Sequence, residues 1–293
     1  MHFTGRTWRP PYEANSCIIQ VTSGCTHNKC KFCNLYKDEK FKLSPIEEFE
    51  ADLEEIKFYQ PYARRLFWTG GNPFSLSYQN LKLRALTVRD YLIKCQNIAM
   101  FSSIQDIKNK SDEQLLKLRT MGINGLSIGT ESGDDKTLEF INKGYSSDDI
   151  VEQCNKLDKA YIEYYFVYMT GLAGKGNGYR NAVNTAKIFN KLNPYIISID
   201  SLTLFPNTEL YQLSSQGKFT PASEKERIEE LIVFIKNLQI RVHLWANSVS
   251  NYYPTTAYLP RNKERIIGEL EHILKTVDEK EMSNYRKNLK TLG

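Results

Sequence analysis

No run in this 293-residue sequence approaches the roughly eighteen apolar residues a membrane-crossing helix needs, and the opening MHFTGRTWRP has no apolar export core. A cytoplasmic protein without a membrane partner is therefore expected. Internal repeats and low-complexity tracts are also missing, and nothing in the composition suggests disorder. Lys and Arg outnumber Asp and Glu by 39 to 34, giving a net charge of +5, but the two signs are interleaved throughout. The clustered basic face of a nucleic-acid binder is absent, and no appended RNA-binding module is recognisable, so nucleic acid is not an expected partner. What is present is globular: 41% hydrophobic and 25% charged residues in a chain long enough for one large core with an extension. Six cysteines in a chain of this size without an export signal are expected to stay reduced and available as ligands. Cys17, Cys95 and Cys154 lie far apart and read as buried core thiols.

Apolar runs alternate with amphipathic segments. After WRPPYEANS, which reads as coil, strands are expected at Cys17 to Val21, Leu66 to Trp68, Ile98 to Phe101, Ile123 to Ile128, Ile162 to Tyr168 and Ile196 to Leu204. Helices fall between them: Ser44-Pro45-Ile46-Glu47 reads as a capped start, Ser111 with Gln114 as a capping box, and 134–141, 147–159 and 179–191 carry helical periodicity. Such alternation specifies parallel βαβ units with right-handed crossovers. The expectation is an α/β fold, a partial (β/α)6 TIM-type barrel over residues 12–215, closed by a C-terminal helical extension, 216–293. A complete eight-unit barrel is the alternative, but the alternation fades after Tyr211.

Three cysteines, Cys25, Cys30 and Cys33, follow the first strand in GCTHNKCKFCNLY. Thiolates this close suit a soft metal or an iron–sulfur cluster. Three is one short of the usual four, which leaves either an open coordination position or completion by a distant residue. A structural zinc site completed by His27 or His243 is the competing reading.

The triad, the WTGGNPF turn after the second strand and the SIGTESGDDKTLEFINKGY segment after the fourth together resemble the radical S-adenosylmethionine (SAM) superfamily. The likeness is greatest to the branch of oxygen-independent coproporphyrinogen oxidase, the tRNA methylthiotransferases and the elongator catalytic subunit. One departure is visible: four residues, Thr26 to Lys29, separate the first two cysteines where the family usually has three. The resemblance implies a [4Fe–4S] cluster on Cys25, Cys30 and Cys33, SAM on the remaining iron, and a 5′-deoxyadenosyl radical that abstracts hydrogen from a substrate. It also implies roles for further residues. Phe32 would pack near adenine, Gly70 and Gly71 would bring backbone carbonyls to the methionine amino group, and Asn72 stands where the family has an acid. Ser103, after the third strand, would line the same cavity. Glu131 would contact the ribose hydroxyls, Lys143 would pair with the SAM carboxylate, and the backbones of Met169 and Thr203 would meet adenine. Restoring the acid, Asn72→Glu, is expected on this reading to tighten SAM binding.

These motifs sit at the C-terminal ends of strands, where working residues of (β/α) barrels gather. The expected substrate is an unidentified small molecule, with a flavodoxin or ferredoxin as electron donor. No second cysteine cluster, no cobalamin-binding domain and no full coproporphyrinogen oxidase is expected in this chain. His243 to Pro260, with Trp245, Asn247, Asn251, Tyr252 and Tyr253, reads either as a lid that orients substrate or as a docking segment for the C-terminal helices. A non-catalytic iron–sulfur or zinc protein is the alternative function.

Overall fold

A computed structural model describes residues 1–289. Its strands are β1 Cys17–Gln20, β2 Thr22–Ser23, β3 Lys42–Leu43, β4 Arg65–Thr69, β5 Asn97–Ser102, β6 Ile123–Glu131, β7 Tyr164–Thr170, β8 Ile196–Ser201, β9 Val242–Trp245 and β10 Thr256–Leu259. β2 and β3 form a small antiparallel pair at the base of the cysteine loop, and the others form one sheet in the order β1-β4-β5-β6-β7-β8-β9-β10. Sheet neighbours are successive in sequence, and helices lie between the strands from β1 to β9, as in a partial TIM-type barrel. The six expected strands are β1, β4, β5, β6, β7 and β8. The chain divides into two compact units, one of Met1–Asn28, Leu35–Gly129 and Glu152–Tyr165, the other of Lys29–Asn34, Thr130–Val151 and the chain from Phe166 onward.

In the first unit β1, β4 and β5 pair in parallel, and β5 pairs with β6. Ile19, Leu66, Phe67, Trp68, Ile98, Ala99, Met100 and Leu126 are buried, the near-continuous apolar pattern of strands covered on both faces. Pro11–Glu13 is a short 3₁₀ helix rather than coil. It places Glu13 against the Arg65 guanidinium, Nε to Oε2 at 2.8 Å, while the Arg65 Nη2 donates to the Tyr165 hydroxyl at 3.1 Å. The Ser111 capping box forms as the sequence suggests. Ser44 does not cap the first helix, Ile46–Tyr59, whose N-cap is Pro45. The Ser44 hydroxyl instead bonds the Gln20 carbonyl and the His2 ring, partners remote in sequence that outweigh the local motif.

In the second unit β8 pairs in parallel with β9, and β10 returns antiparallel at the edge. The C-terminal segment is therefore not purely helical. Val242 and Leu244 are buried while His243 and Trp245, alternating with them, are half-buried, a two-residue alternation that its aromatic content masked. Helices Gly178–Phe189 and Glu224–Asn237 cover the other face: Tyr168 stacks on Phe234 at 4.1 Å, and Phe166 meets Phe189 at 4.5 Å. Buried Glu230 accepts from the Tyr168 hydroxyl, the Gly171 N–H and the Asn181 amide at 2.8, 2.7 and 2.7 Å, so its carboxylate is satisfied.

Candidate functional site

Cys25 belongs to the first unit and Cys30 and Cys33 to the second. All three are half-buried. Among the described residues no three His, Cys, Asp or Glu side chains are gathered as a ready-made metal site.

In the first unit the turn after β4 lies against the cysteine loop. The Gly71 N–H donates to the Gly24 carbonyl at 2.9 Å. A Cβ on Gly71 would stand 2.3 Å from that carbonyl oxygen and 2.7 Å from the Cys25 Cα, so only glycine permits this approach. Gly70 has φ +133°, and a Cβ there would meet the Thr22 hydroxyl at 2.1 Å. Asn72 is buried, its Oδ1 accepting from the Thr26 N–H at 3.0 Å. Its Nδ2 donates to the Thr26 hydroxyl at 2.6 Å and to both oxygens of Asp106 at 3.1 and 3.0 Å. The Ser103 hydroxyl accepts from the Asp106 N–H and caps helix Ile104–Lys108.

In the second unit Lys29–Asn34 is pinned by backbone bonds, Lys31 N–H to the Ile141 carbonyl at 3.0 Å and Leu210 N–H to the Lys31 carbonyl at 2.8 Å. The Cys33 N–H turns back toward the Cys30 carbonyl at 3.4 Å. Phe32 and Met169 are among the residues that pack against the buried group Ile141, Leu172, Leu202, Leu210 and Phe219. Lys143 is buried, its Nζ 3.7 Å from Glu131 Oε1, 5.9 Å from the Phe32 ring centre and 5.6 Å from that of Tyr145. Thr203 Oγ1 accepts from the Arg286 Nη1 at 3.0 Å.

Glu131 ends β6 with φ +62°, the left-handed region a glutamate rarely enters, at a cost of order 1–3 kcal/mol. The following residues hold it there. Ser132 donates to Asn181 Oδ1 at 2.5 Å, the Gly133 N–H to Thr185 Oγ1 at 2.8 Å, and Asp134 accepts from Asn184 and Arg180. Burial pushes the Glu131 carboxyl up to about 7, with Lys143 opposing and Asp200 adding to the shift. Burial works against the Lys143 ammonium, but Tyr145, Cys30 and Glu131 outweigh it and hold Lys143 well above the ordinary lysine value.

These residues suit a [4Fe–4S] cluster and SAM on three counts. The thiols are soft donors in one short loop. Gly70 and Gly71 let the turn after β4 close on Thr22 and on the backbone of Cys25, an approach any side chain would block, so the thiol of Cys25 is seated against a turn of bare backbone. Glu131 Oε2 is buried with no hydrogen-bond partner, an acceptor left over beside a buried ammonium, as a ligand bearing hydroxyls and a carboxylate would require. Sequence reasoning missed Tyr145, Asp106 and Asp200. Asp200 is a lone acid inside the apolar strand β8, and packing raises its carboxyl while the Ser248 and Ser250 hydroxyls pull it back. That lone acid was the available signal. Asn251, in the segment read either as a substrate lid or as a docking segment for the C-terminal helices, is buried and donates to the Ile199 and Ala246 carbonyls at 2.7 and 3.0 Å, which ties the segment to the end of β8.

The second-unit backbone thus presents an ammonium, a carboxylate and two thiols, the first-unit backbone a thiol and a glycine turn packed against it. Among the described residues no helix is long and apolar enough to cross a membrane. The heme chaperone HemW of Bacillus subtilis (strain 168) is 27% identical over 237 residues, 78% of this chain and 61% of HemW. The chain therefore spans less than two thirds of that relative's length. Coproporphyrinogen III oxidase (HemN) from Escherichia coli, a radical SAM enzyme, has a similar fold, with TM-score 0.55 and 17% identity, covering 75% of this chain and 52% of that one. The radical SAM methyltransferase TsrM from Kitasatospora setae, solved with cobalamin and a [4Fe–4S] cluster, gives TM-score 0.56 and 16% identity over 69% of this chain and 39% of that one. Residues 19–187, more than half of the 293, match the family model of the radical SAM superfamily, and the chain belongs to that superfamily, whose cofactors are a [4Fe–4S] cluster and SAM.

Proposed function

We propose that this chain is a radical SAM enzyme acting on a small-molecule substrate, with Cys25, Cys30 and Cys33 as cluster ligands and Glu131 and Lys143 as SAM ligands. When bound, the cluster supplies the electron that splits the SAM sulfonium bond. The observation that carries the reading is the buried pair: the Lys143 ammonium, held charged, lies 3.7 Å from Glu131 Oε1, while Glu131 Oε2 is buried with no donor to accept from. Lys143 would hold the amino-acid carboxylate by a charge-assisted bond, and Glu131 would accept from the ribose hydroxyls. Phe32 and Met169 would wall the adenine side. Gly70 and Gly71 would leave carbonyl oxygens open to the ammonium. A flavodoxin or ferredoxin would deliver the electron.

The test is anaerobic reconstitution with iron and sulfide, then dithionite and SAM. Release of 5′-deoxyadenosine and methionine is expected, whereas a cluster carrier without catalysis releases neither. Lys143→Ala is expected to weaken SAM binding more than tenfold, about 1.5–3 kcal/mol, while the cluster's visible absorption survives. Equal SAM affinity would remove Lys143 from the site. Heme handling, the property in the name of the Bacillus relative, is the second reading, favoured by the 27% identity over 237 residues. A saturable Soret shift on titration with hemin would support it, and unsaturable binding would dismiss it.

A further inference from the structure

The turn after β4 carries an amide at Asn72, and a carboxylate reaches the same spot from a different strand. Asp106 is buried, and its two oxygens lie 3.1 and 3.0 Å from Asn72 Nδ2, while Oδ2 also accepts from the Ser103 N–H at 2.7 Å. Lys110, itself buried, donates to the Asp106 carbonyl at 3.0 Å and to the Phe74 carbonyl at 2.7 Å, tying the helix that carries Asp106 to the turn that carries Asn72. A carboxylate only accepts hydrogen bonds, so Asp106 decides which end of the Asn72 amide faces it. With Nδ2 turned to Asp106, Oδ1 is left facing the Thr26 N–H at 3.0 Å. Thr26 is the residue that follows Cys25.

We infer that Asp106 is a positioning residue for the cysteine loop: through the Asn72 amide it fixes the Thr26 backbone and thereby the approach of Cys25. This rests on the proposed role of Cys25 as a cluster ligand. The amide at 72 is then not a weakened version of an acid but the complement of one placed elsewhere. An acid at 72 would set two carboxylates in contact in a buried space, so Asn72→Glu disrupts the turn instead of tightening SAM binding, the reverse of the expectation from the family pattern.

The test compares the wild type with Asn72→Asp, Asp106→Asn and the exchanged pair Asn72→Asp/Asp106→Asn. Two quantities are read: amide hydrogen exchange of residues 24–28 in the metal-free chain, and visible absorption after anaerobic reconstitution. Asn72→Asp is expected to speed exchange at Thr26 about fivefold to tenfold, the loss of one or two hydrogen bonds, and to lower cluster content. The exchanged pair, which restores one donor facing one acceptor, is expected to recover both quantities, which a merely structural loss would not do. Wild-type exchange in Asn72→Asp overturns the inference, as does a pair no better than Asn72→Asp. Asp106→Asn is isosteric and uncharged, and it alone must raise exchange at Thr26 if Asn72→Asp does not fold. Absence of a cluster in the wild type contradicts the functional reading, and exchange at Thr26 still decides the role of Asp106.

Discussion

Glu131 combines a left-handed backbone, a carboxyl raised to about 7 and an oxygen without a partner, and each has a physical consequence. Because the folded chain binds this proton more tightly than the unfolded chain does, Glu131 adds stability below its ordinary pKa of about 4.5, and that contribution is lost as pH rises to about 7. Thermal unfolding of the metal-free protein should show the midpoint falling across that window and levelling above it. Glu131→Gln is expected to flatten the fall, with a smaller slope left by Asp106, Asp200 and Glu230, whose buried carboxyls shift in the same direction. An unchanged slope would mean that other groups titrate there. Glu131 and Lys143 were legible in the sequence because their spacing belongs to a pattern. Asp106 was not, since what makes it matter is a neighbour brought by the fold, Asn72; Asp200 showed only as a lone acid in an apolar strand, its partners Ser248 and Ser250 being remote in sequence, and Tyr145, two residues from Lys143, read as one more aromatic in a chain rich in them. Among the thiols read as core, Cys17 and Cys154 are buried, but Cys95 is half-buried at the end of a turn.

The strands and helices were readable wherever packing follows one period. β4 and β5 extend one residue beyond the expected runs at each end, and Ser147–Lys159 is helical over the expected span. The misreadings occur where a remote partner overrides a local signal, as at Ser44, or where a strand is short and aromatic, as at β9. The turn after β4 makes the element's tolerance measurable. Gly71→Ala forces a Cβ against the Gly24 carbonyl and the Cys25 backbone and is expected to lower stability by about 1–3 kcal/mol and to reduce cluster retention. Gly268→Ala, in helix Lys263–Thr276 with open space around the added methyl, is expected to raise stability by up to about 1 kcal/mol. Chemical denaturation of the two variants measures the contrast. Equal effects would mean that the turn yields, and that its close approach to Cys25 imposes nothing.

For the molecule as a whole, superfamily membership joins a β/α sheet, a three-thiol loop and a buried ammonium–carboxylate pair into one account in which one iron of a cluster is left open for SAM. The most direct measurement is low-temperature electron paramagnetic resonance of the reduced, reconstituted protein before and after SAM, in the wild type and in six single Cys→Ala variants. A [4Fe–4S]⁺ signal that changes shape on adding SAM is expected. Cys25→Ala, Cys30→Ala and Cys33→Ala are predicted to lose it, and Cys17→Ala, Cys95→Ala and Cys154→Ala to keep it. A signal indifferent to SAM, or one abolished by Cys17→Ala, would mean that the protein itself fills all four iron positions and that no iron is open to SAM.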